Sequence, residues 1–311
     1  MCNNVRIKQR LTIGLIVSTS VMIIFMIFVS IIDGQTQKHN ITIWENTKPR
    51  NPDPEYCETY FNTTSNTTNY RYLKEKFNAI SSLSFLVPSL LPFFFFAFDA
   101  KNGCVTDYTK LNKYKITIMA RYPTFSFLTS VISIFHVTGT FTNHACSCLV
   151  GLILDNIFQW LMLGLPILFT TFIYSDGFIK SRTRFFYINW TLVYILYSIL
   201  MIVLAVMNLK IIYQTIITVG LVLILIISNI IGISSNKKVI GTKLFFWLSL
   251  ICATIGLIFA FIDGLVCDKT RLIGAPGTHF LWHIFGSIAL TFLYIYQWTM
   301  KEDFNYIRSM I

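Results

Sequence analysis

Charge is scarce in this sequence. Asp, Glu, Lys and Arg make up 13% of its 311 residues, about half of the ~25% usual in soluble domains. Acidic residues are scarcer still, 14 against 25 basic ones. Cysteines number seven and histidines five, which excludes a small disulfide-stapled scaffold. There is no Cys-x-x-Cys, no Walker loop, no Gly-x-Ser-x-Gly and no dinucleotide fingerprint. The chemistries tied to those motifs have no support here. What is present is apolar. The hydrophobic fraction is 54% and the mean hydropathy is +0.62. That much apolar surface excludes a disordered chain and an ordinary cytosolic enzyme, and it points to a bilayer as the solvent.

Eight runs are long enough to cross a membrane as helices: Leu11–Ile32, Phe77–Phe98, Ile116–Thr142, Cys148–Tyr174, Phe185–Met207, Ile211–Ile233, Leu244–Val266 and Thr278–Trp298. They lack the dyad alternation of a barrel, and lipid favours elements that satisfy their own backbone. The net charge of +11 invites a nucleic-acid partner. The basic residues lie between apolar runs, however, so topology explains them better. Arg6, Lys8 and Arg10, then Lys101 to Arg121, Lys180 to Arg184, Lys237 to Lys243, and Lys301 with Arg308 all fall on one side if eight spans alternate. Both termini are therefore predicted to be cytosolic. The loop between the first two runs carries glycosylation sequons at Asn40, Asn62 and Asn66, acceptors that work only on the lumenal or extracellular side. Asn189 also opens a sequon, but inside an apolar run. The first run exceeds the 7–15 residues of a cleaved leader's core, and a cut after Ser30 would place Phe28 at a small-residue position, so it reads as an uncleaved signal anchor.

Ionisable groups within spans are costly and are functional candidates. His279 and His283 form His-x-x-x-His at the start of the last run. The i, i+4 spacing puts both rings on one helix face, a chelate suited to a divalent metal such as zinc, or else a pair hydrogen-bonded to neighbouring helices. A catalytic zinc needs a third protein ligand. His144, where the third run meets the fourth, falls on the same outer side, and His136 is the fallback. Asp155 lies within the fourth run. It would serve as a general base beside a metal, or as a polar clasp with Asn156 and Gln159. Asp263 would cap, pair with Lys269 or Arg271, or sit behind the ligands. Cys57 and Cys267 both fall on the oxidising side, where a disulfide is possible, and Cys146 and Cys148 could pair elsewhere or stay free.

These residues together resemble the alkaline ceramidases, within the seven-helix membrane hydrolase superfamily that includes the adiponectin and progestin receptors. The resemblance is carried by Glu55-Tyr56-Cys57-Glu58, by Tyr72 to Ser82, by Gly139-Thr140-Phe141-Thr142-Asn143-His144 with Asp155 eleven residues on, by Asp263 to Cys267, and by His279-x-x-x-His283. It implies an all-α integral membrane protein: a seven-helix bundle over 77–298, preceded by one additional transmembrane helix within 1–32. Between them 33–76 would form a lumenal, glycosylated loop, with 299–311 a cytosolic tail. It implies zinc on His144, His279 and His283, with Asp155 as the acid–base group. Thr140 stands where the family has a serine and keeps a hydroxyl for the water or the oxyanion. A calcium site is implied on Glu55, the Tyr56 carbonyl, Glu58 and Glu75. Here Tyr60 replaces the family's asparagine, and extra residues separate Glu58 from Glu75. A Cys57–Cys267 disulfide is implied as well. The activity implied is hydrolysis of the amide of ceramide within the membrane of the endoplasmic reticulum or Golgi, with the active site toward the lumen. The membrane lipid is the partner, with neither nucleic acid nor an obligate protein partner. The alternatives are an ester or phospholipid hydrolase of the same superfamily and a seven-helix lipid receptor with structural zinc.

Overall fold

The structure is a computed structural model that describes residues 4–39, 73, 75–101, 123–174, 184–207, 211–235, 239–240, 243–270, 278–299 and 301–302. Each of the eight apolar runs is helical over nearly all of its described length. The helices are α1 (Asn4–Lys38), α2 (Lys76–Ser82), α3 (Leu86–Lys101), α4 (Pro123–Cys146), α5 (Leu149–Tyr174), α6 (Arg184–Val206), α7 (Ile211–Ser235), α8 (Lys243–Thr270) and α9 (His279–Thr299). Six segments are long and apolar enough to cross a membrane: Gln9–Thr36, Lys76–Ala97, Thr124–Cys146, Leu149–Thr171, Lys243–Asp263 and His279–Thr299. In α6 and α7 the apolar stretches Thr191–Val206 and Ile216–Ile230 are shorter. The described residues are thus almost entirely helical and compatible with several membrane crossings.

The second run is not one straight helix. A 3-10 turn, Leu83–Phe85, joins α2 to α3. Pro88 explains it, because its ring clashes with the carbonyl four residues back and it donates no hydrogen bond. The Ser89 hydroxyl donates to the Phe85 carbonyl at 2.6 Å. Apart from the helices, the described residues contain one short antiparallel pair, Val239–Ile240 with Lys301–Glu302. It brings the α7–α8 connection beside the end of α9, two segments that alternating spans predict on one side.

The outward faces are apolar. Ile24, Leu196, Ile216 and Phe261 are all 60% or more exposed, as suits helices whose surroundings are lipid. Polar groups point inward instead, among them Ser130, Asn143, His144 and Gln297. α1 packs mainly on α3, where Gly14 lies against Leu91 and Phe94. At its far end Asp33 is buried. It accepts the Leu73 backbone N–H at 3.1 Å and pairs with the Lys76 ammonium at 3.2 Å.

α4 and α5 form a tight hairpin. A Cβ on Gly151 would lie 2.6 Å from the Asn143 backbone, and one on Gly139 would lie 2.9 Å from the Asp155 backbone nitrogen. Small residues let helices approach backbone to backbone in lipid. Gly151→Ala is therefore expected to lower stability by about 1–3 kcal/mol, read as an earlier thermal transition of the detergent-solubilised protein. The two helices are separated only by Ser147 and Cys148. Ser147 has φ 48°, the left-handed conformation that ends helices, and its N–H donates to the Asn143 carbonyl at 2.9 Å. Cys146 and Cys148 are disulfide-bonded to each other, not to more distant partners.

Candidate metal centre

His144 ends α4, while His279 and His283 begin α9. The structure brings the three together. Their ring centroids are 4.8 to 5.4 Å apart, and one ligand nitrogen from each lies within 4.8 Å of the others. All three are buried. Tetrahedral coordination with bonds of about 2.0–2.1 Å needs nitrogens roughly 3.3 Å apart, so ring adjustments of at most about 1.5 Å would complete a site. The three histidines are close enough to hold a metal ion.

The hydrogen bonds around the rings test whether they present the right nitrogens. His144 Nδ1 lies 2.5 Å from a Glu75 carboxylate oxygen, and His283 Nδ1 lies 3.1 Å from the Asn78 carbonyl. A carboxylate and a carbonyl only accept, so both Nδ1 atoms carry the proton. Nε2 of each ring is then a lone-pair ligand, the arrangement metal-binding imidazoles adopt. The buried His144 Nε2 makes no hydrogen bond to the described residues. The donor set fits a divalent ion that accepts imidazole.

Glu75 grips residue 144 twice. Its backbone N–H donates to the His144 carbonyl at 3.0 Å while its side chain holds the ring. Ser147 and Asn78 donate to the same carboxylate at 3.0 and 3.3 Å. Glu75 was expected among calcium ligands. Here it orients a histidine, and Glu55, Tyr56 and Glu58 lie outside the described residues. Replacing such a partner costs about 10–100-fold in metal affinity. Glu75→Gln, which keeps shape and loses charge, should show that loss in competition with a chelating dye.

Asp263 acts from α8 as the cap of α9. Its Oδ1 accepts the backbone N–H of Thr278 at 2.7 Å and of His279 at 3.2 Å. Capping is one of its three expected roles; Arg271 lies outside the described residues. The cap fixes where α9 starts, and hence where the paired histidines point.

Asp155 is held from α4. Thr140 donates its hydroxyl to Oδ1, and the Asn143 amide donates to Oδ2 at 2.9 Å. The clasp expected with Asn156 and Gln159 forms with residues of α4 instead. His136, the fallback metal ligand, is not in the histidine cluster. Its Nδ1 lies 3.6 Å from Asp155 Oδ1 and 3.2 Å from Thr140 Oγ1. Asn143, Asn78 and Ser81 had no predicted role. Asn143 was visible as the neighbour of His144, but Asn78 and Ser81, whose hydroxyl lies 2.9 Å from His283 Nδ1, become partners only through the path of α2.

The Cys57–Cys267 disulfide and the sequons at Asn40, Asn62 and Asn66 involve residues outside those described. Cys267 lies within α8, but its partner in that pairing does not fall among the described residues. Asn189 lies in α6.

A cavity opens near this centre, lined in part by Phe85, whose ring centroid is 6.1 Å from that of His283. α5, α7, α8 and α9 form most of its wall, which is largely apolar, and His136 and Trp282 belong to it. Trp282 immediately precedes His283. Along α9 the lining extends to Leu293, about 16 Å at 1.5 Å per residue. Comparison of the chain with protein-family models, curated proteins and solved structures returns no match.

Proposed function

We propose that this protein is a zinc-dependent amidohydrolase that cleaves ceramide-type sphingolipids within the membrane to a sphingoid base and a fatty acid. The observation that carries the reading is the juxtaposition of three buried histidines, a carboxylate held on the neighbouring turn, and an apolar cavity about 16 Å long. Zinc held by three imidazoles supplies a Lewis acid that polarises a carbonyl and acidifies water near neutral pH. All-imidazole donors favour zinc, copper, iron or nickel over calcium and magnesium, and three histidines are a ligand set of catalytic zinc.

The remaining chemistry belongs to the chain. Asp155 is the general base. Its two oxygens are oriented by Thr140 and Asn143, and Asn143 adjoins His144 in the sequence, which ties the base to the ligand's own helical turn. The carboxylate takes a proton from the attacking water as its oxygen bonds to the amide carbon. It returns that proton to the nitrogen as the C–N bond breaks, so the amine leaves neutral. The cavity holds a hydrocarbon tail and keeps bulk water away, which strengthens every electrostatic contact at the centre. A seven-helix bundle behind one additional helix, with the centre toward the lumenal side of an endomembrane, completes the proposal. The calcium site remains part of it on the resemblance.

The test is turnover by purified protein in mixed micelles. Ceramide should release fatty acid, and the matched ester should be the poorer substrate. Cleavage of the ester alone would move the protein to a glycerolipid hydrolase. Full amide cleavage by metal-stripped protein would sink the proposal.

A further inference from the structure

His136 is buried, 2% exposed, and it stands at the wall between the cavity and Asp155. Its place in the hydrogen-bond network can be counted. The Asp155 carboxylate only accepts, so the single hydroxyl hydrogen of Thr140 is committed to it. None is left for the imidazole. Both ring nitrogens of His136 lie near the Thr140 oxygen, at 3.2 and 3.5 Å, but a neutral imidazole carries one N–H. Whichever nitrogen carries it, the other receives no hydrogen bond from Thr140. The Phe85 ring, in edge contact with a centroid separation of 5.0 Å, gives the other no hydrogen bond.

We infer that His136 is a specificity-determining residue whose second ring nitrogen accepts a hydrogen bond from a hydroxyl of the substrate where the tail cavity meets the metal centre. This rests on the amidohydrolase reading and narrows it to amide lipids with a free hydroxyl near the scissile bond. A buried acceptor left without a donor is penalised, while a correctly placed hydroxyl satisfies it. A site built this way discriminates against the deoxy analogue more sharply than an apolar wall can. The discrimination arises in binding, before any bond is broken.

Two short-chain lipids test the inference, each with the amide replaced by a non-hydrolysable isostere. One keeps its hydroxyls and the other is the deoxy analogue. Their affinities are measured on the full chain in detergent micelles. Wild type should bind the hydroxylated lipid at least about ten-fold more tightly. His136→Phe, which preserves the ring packing on Phe85, should reduce that preference to about two-fold or less, and His136→Gln, which restores an acceptor, should recover much of it. A preference unchanged in a folded His136→Phe protein would overturn the inference. Equal affinities in wild type would overturn it without any variant. Should the preference hold while neither amide nor ester lipid is turned over, His136 keeps its role and only the hydrolase reading falls.

Discussion

Purified His279→Ala protein should carry almost no zinc, against about one ion per chain in wild type, and should release no fatty acid from ceramide. The expectation is strong because the ligands are few and come from two separate elements. Removing one imidazole leaves two nitrogens, one on α4 and one on α9. They cannot supply the three protein ligands of a catalytic zinc. The helix itself should survive, because its start is fixed by Asp263 accepting the Thr278 and His279 backbone N–H groups. Alanine retains that N–H. Circular dichroism should therefore match wild type while inductively coupled plasma mass spectrometry finds the metal gone. Stoichiometric zinc in His279→Ala would remove His279 from the centre.

The second large effect separates the acid–base group from the ligands. Asp155→Asn should keep its metal and lose turnover by roughly 10²–10⁴-fold, the usual contribution of general acid–base catalysis. An amide is close to isosteric with the carboxylate but cannot take the water's proton. It also presents one NH2 face to a site where Thr140 and Asn143 are both donors, so one of those hydrogen bonds is lost. The pairing of retained zinc with lost cleavage is what distinguishes a base from a ligand. If Asp155→Asn lost its zinc as well, the carboxylate would belong to the metal site. If it turned over at the wild-type rate, another group would have to move the proton.

The helices were legible in the sequence because lipid asks so little of a pattern. A run of about 20 apolar residues is enough, and each such run proved helical over nearly all of its described length. The breaks were harder. Ser147 ends α4 in a left-handed conformation usually taken by glycine, and nothing in the apolar composition on either side marks that position. The metal ligands were legible for a different reason. His-x-x-x-His declares one helix face, and His144 follows from topology once the ends of the spans are assigned to sides. Glu75 was visible as an acid near a span but not as the partner of His144, because its role depends on the chain folding back across a separation of 69 residues. His136 lies eight residues before His144, about two turns away on the same helix. Only the side-chain packing shows that it faces Asp155 and the cavity rather than the other two histidines.

The first helix bears on how this protein should be handled. Its apolar stretch stops at Ile32, an inviting place to splice on a different leader. The helix runs on to Lys38, and just past that splice point comes the acid that secures Leu73 and Lys76, the residues bracketing Glu75. An expression vector that swaps out everything before residue 33 would hand this acid to a foreign helix of unknown pitch and contacts. The segment that steadies His144 would then inherit whatever alignment the new leader imposes.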